Sequence, residues 1–393
     1  MNIREHVEQY REAMTQWRHQ IHSQPELGFK EFQTTKLVER ELTAAGIELR
    51  QLDAETGVLG VLKGAKGPGP VIVLRADMDA LPMDEETGVP YTSAVPGVMH
   101  ACGHDGHTAT LLGAAKALAA LKDQLRGEVR FLFQPAEETL YGAKRMIEAG
   151  VLNDPPADYV MGLHGSPLAN VGQVAVLRGP VMASADMFTA TFTADGGHGA
   201  YPHRTRDPIV AAGFFITAVQ EIVSRQVNTL DSAVVSICAV EAGTAFNIIP
   251  KKAVLKGTIR TLDKAVRSQM ESRIREKVEG VAKTFGCGYE LDFVDGIPSV
   301  GNDDEMVDRL YAAGAKVVGE DNVIDPIRPL MGSEDFAFYG EIVPQSLFFQ
   351  LGFVEPGVEP IHLHNTKFNF NDGALVPGAA VFSQFVYDLL GSN

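Results

Sequence analysis

Within eight residues, His100-Ala-Cys-Gly-His104-Asp-Gly-His107, the chain sets one thiol and three imidazoles. Packing alone rarely calls for metal-binding side chains at that density. Two further features sharpen the pattern: the neighbouring carboxylates Glu137 and Glu138 in QPAEE, and His164 in GLHG. Thiolate, imidazole and carboxylate are the groups that hold zinc and its first-row neighbours. A carboxylate beside such a site, itself not a ligand, can take a proton from water. The chemistry these residues point to is metal-dependent hydrolysis.

Cys102 and His104 alternate about a glycine, so a bent, extended backbone can aim both side chains the same way. A cysteine next to a helix start, with Asp105 capping a helix over 108–121, is the plainer reading of this stretch, but it accounts for neither the thiol nor the three histidines. His100 and His107 read as supporting or surface groups. Adjacent residues in extended backbone point oppositely, so one of Glu137 and Glu138 can bind metal while the other faces water. His164 follows an apolar run. In HLHN, spacing alone does not choose between His362 and His364. Asp77 and Asp79 in RADMDALP either orient ligand histidines or simply form a turn.

These residues need a scaffold. Apolar runs of strand length occur at 58–62, 71–74, 129–133 and 159–163, with helical patterns at 4–22, 33–45, 108–121 and 142–148. Alternating strands and helices indicate an α/β domain with a mostly parallel sheet. RADMDALP, QPAEE and HG each follow a strand, where sites in such sheets form. From about residue 183 the order becomes β-α-β-β-α-β: strands at 187–193, 232–240, 254–261 and 289–294, helices at 208–227 and 264–285. This is a ferredoxin-like arrangement. The expected layout is a catalytic domain of residues 1–182 and 295–393, interrupted by a smaller domain at 183–294. That insert carries His198 in GGHGAYPH, Asn247 in AFNIIP and Arg260 in KGTIRT; the arginine alone reads more readily as an outward, solvated strand residue.

The bulk properties narrow the function. A formal charge of −16 argues against a nucleic-acid partner. Three cysteines make no disulfide framework and suit a reducing compartment. The N-terminal stretch is charged throughout, unlike a signal peptide. No unbroken apolar run reaches the roughly 20 residues of a membrane span. The expectation is a cytoplasmic protein.

Taken together, RHQIHSQPELGFKEFQT, RADMDALPM, MHACGHDGHTATLLGAA, FLFQPAEE, GLHG, GGHGAYPH, FNIIPKKAVLKGTIRT, GSEDFAFY and LHNTKFNFND resemble the M20 metallopeptidase/amidohydrolase family over essentially the whole chain. The branch is that of hippurate hydrolases, N-acyl-amino-acid amidohydrolases and auxin-conjugate hydrolases. The resemblance implies a two-metal catalytic domain with an inserted lid or dimerisation domain. It implies Cys102, His104, Glu138, His164 and His364 as ligands, settling the choice against His362, and Glu137 as general base and then acid. It assigns His198, Asn247 and Arg260 to the substrate; in several members the lid histidine serves the other subunit. Thr366 and the Gly199-Ala-Tyr201 stretch depart from the common pattern. The implied activity is hydrolysis of a small N-acyl amino acid, by a homodimer or larger homo-oligomer, with two divalent ions drawn from zinc, manganese, cobalt or nickel. A carboxypeptidase or dipeptidase is the alternative within enzymes. A ligand-binding protein that has lost its chemistry is the alternative outside them.

Overall fold

The computed structural model describes residues 2–325 and 328–391. Residues 1, 326, 327, 392 and 393, all within the expected catalytic domain, lie outside the described ones. The chain divides into two compact units: Met1–Gly179 with Gly301–Arg328 and Asp335–Asn393, and Pro180–Val300 with Pro329–Glu334.

The larger unit is built on an eight-stranded mixed sheet. Its centre is four parallel strands in the order Glu128–Gln134, Val71–Asp77, Tyr159–Asn170 and Ser346–Val354. The strand Val58–Lys63 is antiparallel to Glu128–Gln134, so the sheet is mixed around its parallel centre. The central strands are buried on both faces, as strands sandwiched between helices must be. Helix Arg11–Ser23, helix His104–Ala120 and helix Leu375–Leu390 pack together beside the sheet. The expected helix over 4–22 is two helices, Ile3–Glu8 and Arg11–Ser23.

The smaller unit is a four-stranded antiparallel sheet ordered Ala233–Ala242, Lys252–Thr261, Ala185–Thr193 and Gly288–Ile297. Alternate residues Phe188, Ala190 and Phe192 face its core, where Phe215 and Val219 of helix Pro208–Glu221 and Ile274 and Val278 of helix Met270–Phe285 meet them. A separate two-stranded ribbon pairs Gly197–His198 with Ile248–Ile249.

Two helical stretches, Pro208–Gln226 and Asp372–Leu390, have the length and apolar composition to cross a membrane, which the run-length reading of the sequence did not register. The second is mostly buried in the larger unit's own core. The first turns Ala211, Phe215 and Val219 into the small unit's core and leaves Ile209, Val210 and Phe214 exposed.

Candidate metal centre

Helix His104–Ala120 starts directly after Gly103, whose φ of 94° is open chiefly to glycine; a Cβ there would also meet the Phe370 ring at 3.0 Å. The helix therefore begins four residues before the expected 108, and Asp105 is not its cap. Asp105 lies in the first turn, buried, accepting from His22 Nδ1 at 2.8 Å and Arg18 Nη1 at 3.1 Å. The early start turns His104 inward. Its Nδ1 donates to the Asp79 carbonyl at 2.9 Å and lies 3.2 Å from Asp79 Oδ1. That leaves Nε2 buried with no hydrogen-bond partner among the described residues.

His164 is presented in the same sense. Its Nδ1 donates to Gly165 O at 2.8 Å, and Nε2 lies 3.4 Å from Cys102 Sγ. The strand carrying His164 runs on to Asn170, held by parallel pairing with Ser346–Val354, so His164 is inside a strand rather than beyond its end. His364 comes from a loop that hydrogen-bonds back to the same place, His364 N donating to Ala101 O at 2.8 Å. Its Nε2 lies 3.3 Å from Glu138 Oε1. Among the described residues, donor atoms within 4.8 Å of one another form the groups Cys102, His104, His164 and Cys102, Glu138, His364, with Cys102 common to both; His104, Glu137 and Glu138 form a third. His362 belongs to none of these groups.

Glu137 and Glu138 do not sit on extended backbone. Ala136 takes a left-handed φ of 57° and opens a tight turn, Glu137–Thr139. The turn is held by Asp79: Glu137 N donates to Asp79 Oδ1 and Glu138 N to Asp79 Oδ2, each at 3.0 Å. Asp79 thus orients an imidazole and two glutamates at once. Asp77 serves His107 instead, accepting its Nδ1–H at 2.7 Å, while Gly165 N donates to His107 Nε2 at 2.8 Å. Both ring nitrogens of His107 are therefore occupied, and it buttresses the peptide next to His164. Behind Asp77 lies a fully buried chain: Arg75 Nη1 to Asp77 Oδ2 at 2.6 Å and Arg75 Nη2 to Asp335 Oδ1 at 2.9 Å. Buried charges survive when so paired.

The electrostatics fit a cation. Hydrogen bonds to the Cys102 sulfur and the Glu138 carboxylate push His364 up to about 10. Burial opposes the charged form of His104, yet Asp77, Cys102 and Asp79 outweigh it and hold the ring well above its ordinary value. Both rings face surplus negative charge of the kind a divalent ion would neutralise. His107 moves the other way, lowered to about 4 by burial despite Asp77, consistent with a neutral ring that accepts from Gly165. Burial lowers His100 to about 3; it is fully enclosed, not at the surface, and neither ring nitrogen has a hydrogen-bond partner among the described residues.

In the smaller unit the ribbon brings His198 and Asn247 together: His198 pairs with Ile248, and Gly199 N donates to Asn247 O at 2.8 Å. Both are exposed. Arg260 stands on the four-stranded sheet, half-buried, donating to Ile259 O at 3.1 Å and to Thr258 Oγ1.

The reading of residue types passed over the support beneath the site. Arg18 ties Asp105 to the segment after His364 through Asn369, at 3.3 Å, and Asp372. The available signal was periodic: Met14, Arg18 and His22 share one buried helix face, where an arginine needs a partner.

Sequence and fold are shared with known proteins. The chain matches the profile described as Peptidase family M20/M25/M40 over residues 73–388. It is 42% identical to the hippurate hydrolase of Campylobacter jejuni, over 95% of each chain. It is 40% identical to the N-acetylcysteine deacetylase of Bacillus subtilis, over 95% of this chain and 96% of that one. Its fold superposes on the crystal structure of the Bacillus subtilis YXEP protein, described as a dinuclear metal binding peptidase, with a TM-score of 0.87 at 36% identity, covering 98% and 99% of the two chains. With the profile, the identities and the matched length in agreement, the chain belongs to peptidase family M20/M25/M40.

Proposed function

We propose that this protein is a metal-dependent amidohydrolase that cleaves N-acyl amino acids, of the hippurate or N-acetyl kind, to a carboxylic acid and a free amino acid. The observation that carries this is the pair of three-donor groups sharing Cys102, with Glu137 on the same turn as the donor Glu138. The relatives named for hydrolysis of hippurate and of N-acetylcysteine supply the substrate class. Cys102, His104 and His164 would hold one divalent ion and Cys102, Glu138 and His364 the other, with zinc, manganese, cobalt or nickel each compatible with thiolate and imidazole donors. Bound there, such ions acidify water and polarise a carbonyl.

The protein's part is positioning and proton transfer. Glu137 accepts the proton of the attacking water and returns it to the departing amine. Asp79 keeps Glu137, Glu138 and His104 in register. His198 stabilises the oxyanion, and Arg260 with Asn247 holds the substrate carboxylate by charge-assisted hydrogen bonds. The smaller unit, with its β-α-β-β-α-β order, is the ferredoxin-like lid and dimerisation domain, and the protein works as a cytoplasmic homo-oligomer.

The description of the YXEP protein as a peptidase favours a peptidase reading. A panel of N-acyl amino acids and dipeptides, tested on protein stripped and reloaded with each metal, separates the two. Metal-dependent amine release from hippurate or acetyl amino acids is expected. Turnover confined to substrates with a free α-amino group would replace this reading with the peptidase one. Silence across the panel with metal bound would refute both.

A further inference from the structure

The PELGFKE segment, residues 25–31, has no part in the chemistry above, yet it lies against the turn that carries both glutamates. Ala80 N donates to Glu26 O at 2.8 Å, and Leu27 bridges to Ala80, so the segment runs beside the residue following Asp79. Gly28 packs so closely on the turn that a Cβ would lie 2.9 Å from Thr139 Cγ2 and 3.1 Å from Ala136 Cα. Beyond it, Glu31 is fully enclosed, and its Oε1 accepts Ala136 N–H at 2.8 Å and Phe29 N–H at 3.1 Å.

Three successive amides of the turn, at Ala136, Glu137 and Glu138, therefore each meet a buried carboxylate: Glu31 takes the first and Asp79 the next two. Ala136 is the residue whose backbone is costly, since a non-glycine side chain is crowded at a φ of 57°. Among the described residues, the only side-chain oxygen on its amide is that of Glu31. Without that acceptor the donor would be buried and unsatisfied, and the left-handed turn would lose its counterweight.

We infer that Glu31 is a positioning residue of the active site: it holds the Ala136 amide so that Glu137 faces the water and Glu138 faces the metal. Nothing in this role needs the charge of Glu31, only an oxygen in that place. The inference rests on the proposed chemistry for its kinetic consequence but not for its structural one.

The test uses the full-length, metal-loaded protein with Glu31→Ala and Glu31→Gln. Amide hydrogen exchange over residues 135–140 is read together with kcat and KM on the best N-acyl amino acid. Glu31→Ala should speed exchange at 136–138 at least tenfold and lower kcat at least tenfold with KM changed less than threefold. Glu31→Gln, which keeps an acceptor oxygen, should recover most of both. If the alanine variant does not fold, Gly28→Ala, which presses on the same turn without removing a carboxylate, is read by the same criteria. Unchanged exchange at 136–138 in the alanine variant, or equal damage from glutamine and alanine, overturns the inference. Should the wild type prove inactive on every N-acyl amino acid, the exchange result still decides the matter, so failure of the activity and failure of the positioning role remain distinct.

Discussion

Replacing Glu31 by glutamine should change how stability depends on pH. Burial pushes the Glu31 carboxyl up to about 7 from an ordinary 4.5, with the charge of Asp79 adding to the rise and the amide donors opposing it. In the unfolded chain the group returns to its ordinary value. Between those two values the folded state keeps a proton that the unfolded state releases, so this group's contribution to stability declines as pH rises from about 4.5 to about 7 and is flat above. At about 1.4 kcal/mol per unit, the full penalty of ionising Glu31 in place is about 3 kcal/mol. Glutamine has no charge to bury, so its advantage over the wild type must grow by about that amount between pH 5 and pH 8. The assay is denaturant unfolding of the metal-free proteins across that range, because ions bound nearby would themselves favour the carboxylate. Trp17, the single tryptophan, sits in the larger unit's core and reports the transition by fluorescence. A stability difference that stays constant with pH, or that moves in favour of the wild type at pH 8, would refute the reasoning.

Four other substitutions probe the site. Glu137→Gln should keep both metals and lower kcat by about 10² to 10⁴, the range for a lost general base; near-normal turnover would remove Glu137 from that role. Cys102→Ala should deplete both ions, since its sulfur is common to both donor groups, and elemental analysis finding two ions still bound would take the thiol out of the set. His107→Leu removes the bonds to Asp77 and Gly165 and should weaken metal binding by about 10- to 100-fold in chelator competition. Unaltered affinity would show that the buttress is dispensable. Arg260→Ala should raise KM for substrates with a free carboxylate and spare carboxylate-free amides; equal loss on both would sink the assignment.

Much of this was legible from residue order because strands, helices and donor motifs are local signals. The strand runs at 71–74, 129–133 and 159–163 each lie within an observed strand, and helix Gly142–Glu148 has its expected bounds. The smaller unit's four strands and two principal helices were likewise readable from alternation and amphipathic spacing. What was missed depends on partners distant in sequence. The Val71–Asp77 strand was cut short at Leu74 because Arg75 and Asp77 look like turn residues until Gln134 and Asp335 are there to bond the arginine. His164 reads as a strand end until Gln350 is paired beside it. Asp105 reads as a cap until Arg18 and His22 claim it. The left-handed Ala136, which sets the aim of Glu137 and Glu138, has no composition signal at all, since alanine has no preference for that conformation.

The parallel pairing of Ser346–Val354 with Tyr159–Asn170 has a temporal consequence. During synthesis, Cys102, His104, Glu138 and His164 have all emerged long before the strand that completes the central sheet, and before His364 behind it. The smaller unit's strands, contained between Ala185 and Ile297, can pair while the larger unit still lacks its last central strand. Such long-range pairing is the slow kind of contact to form. The second donor group therefore comes into being only when the segment from Ser346 onward docks. Full metal loading is accordingly an event of late folding, and a nascent or truncated chain ending before residue 346 would offer a thiol, imidazoles and carboxylates to metal without the enclosure that makes them one site.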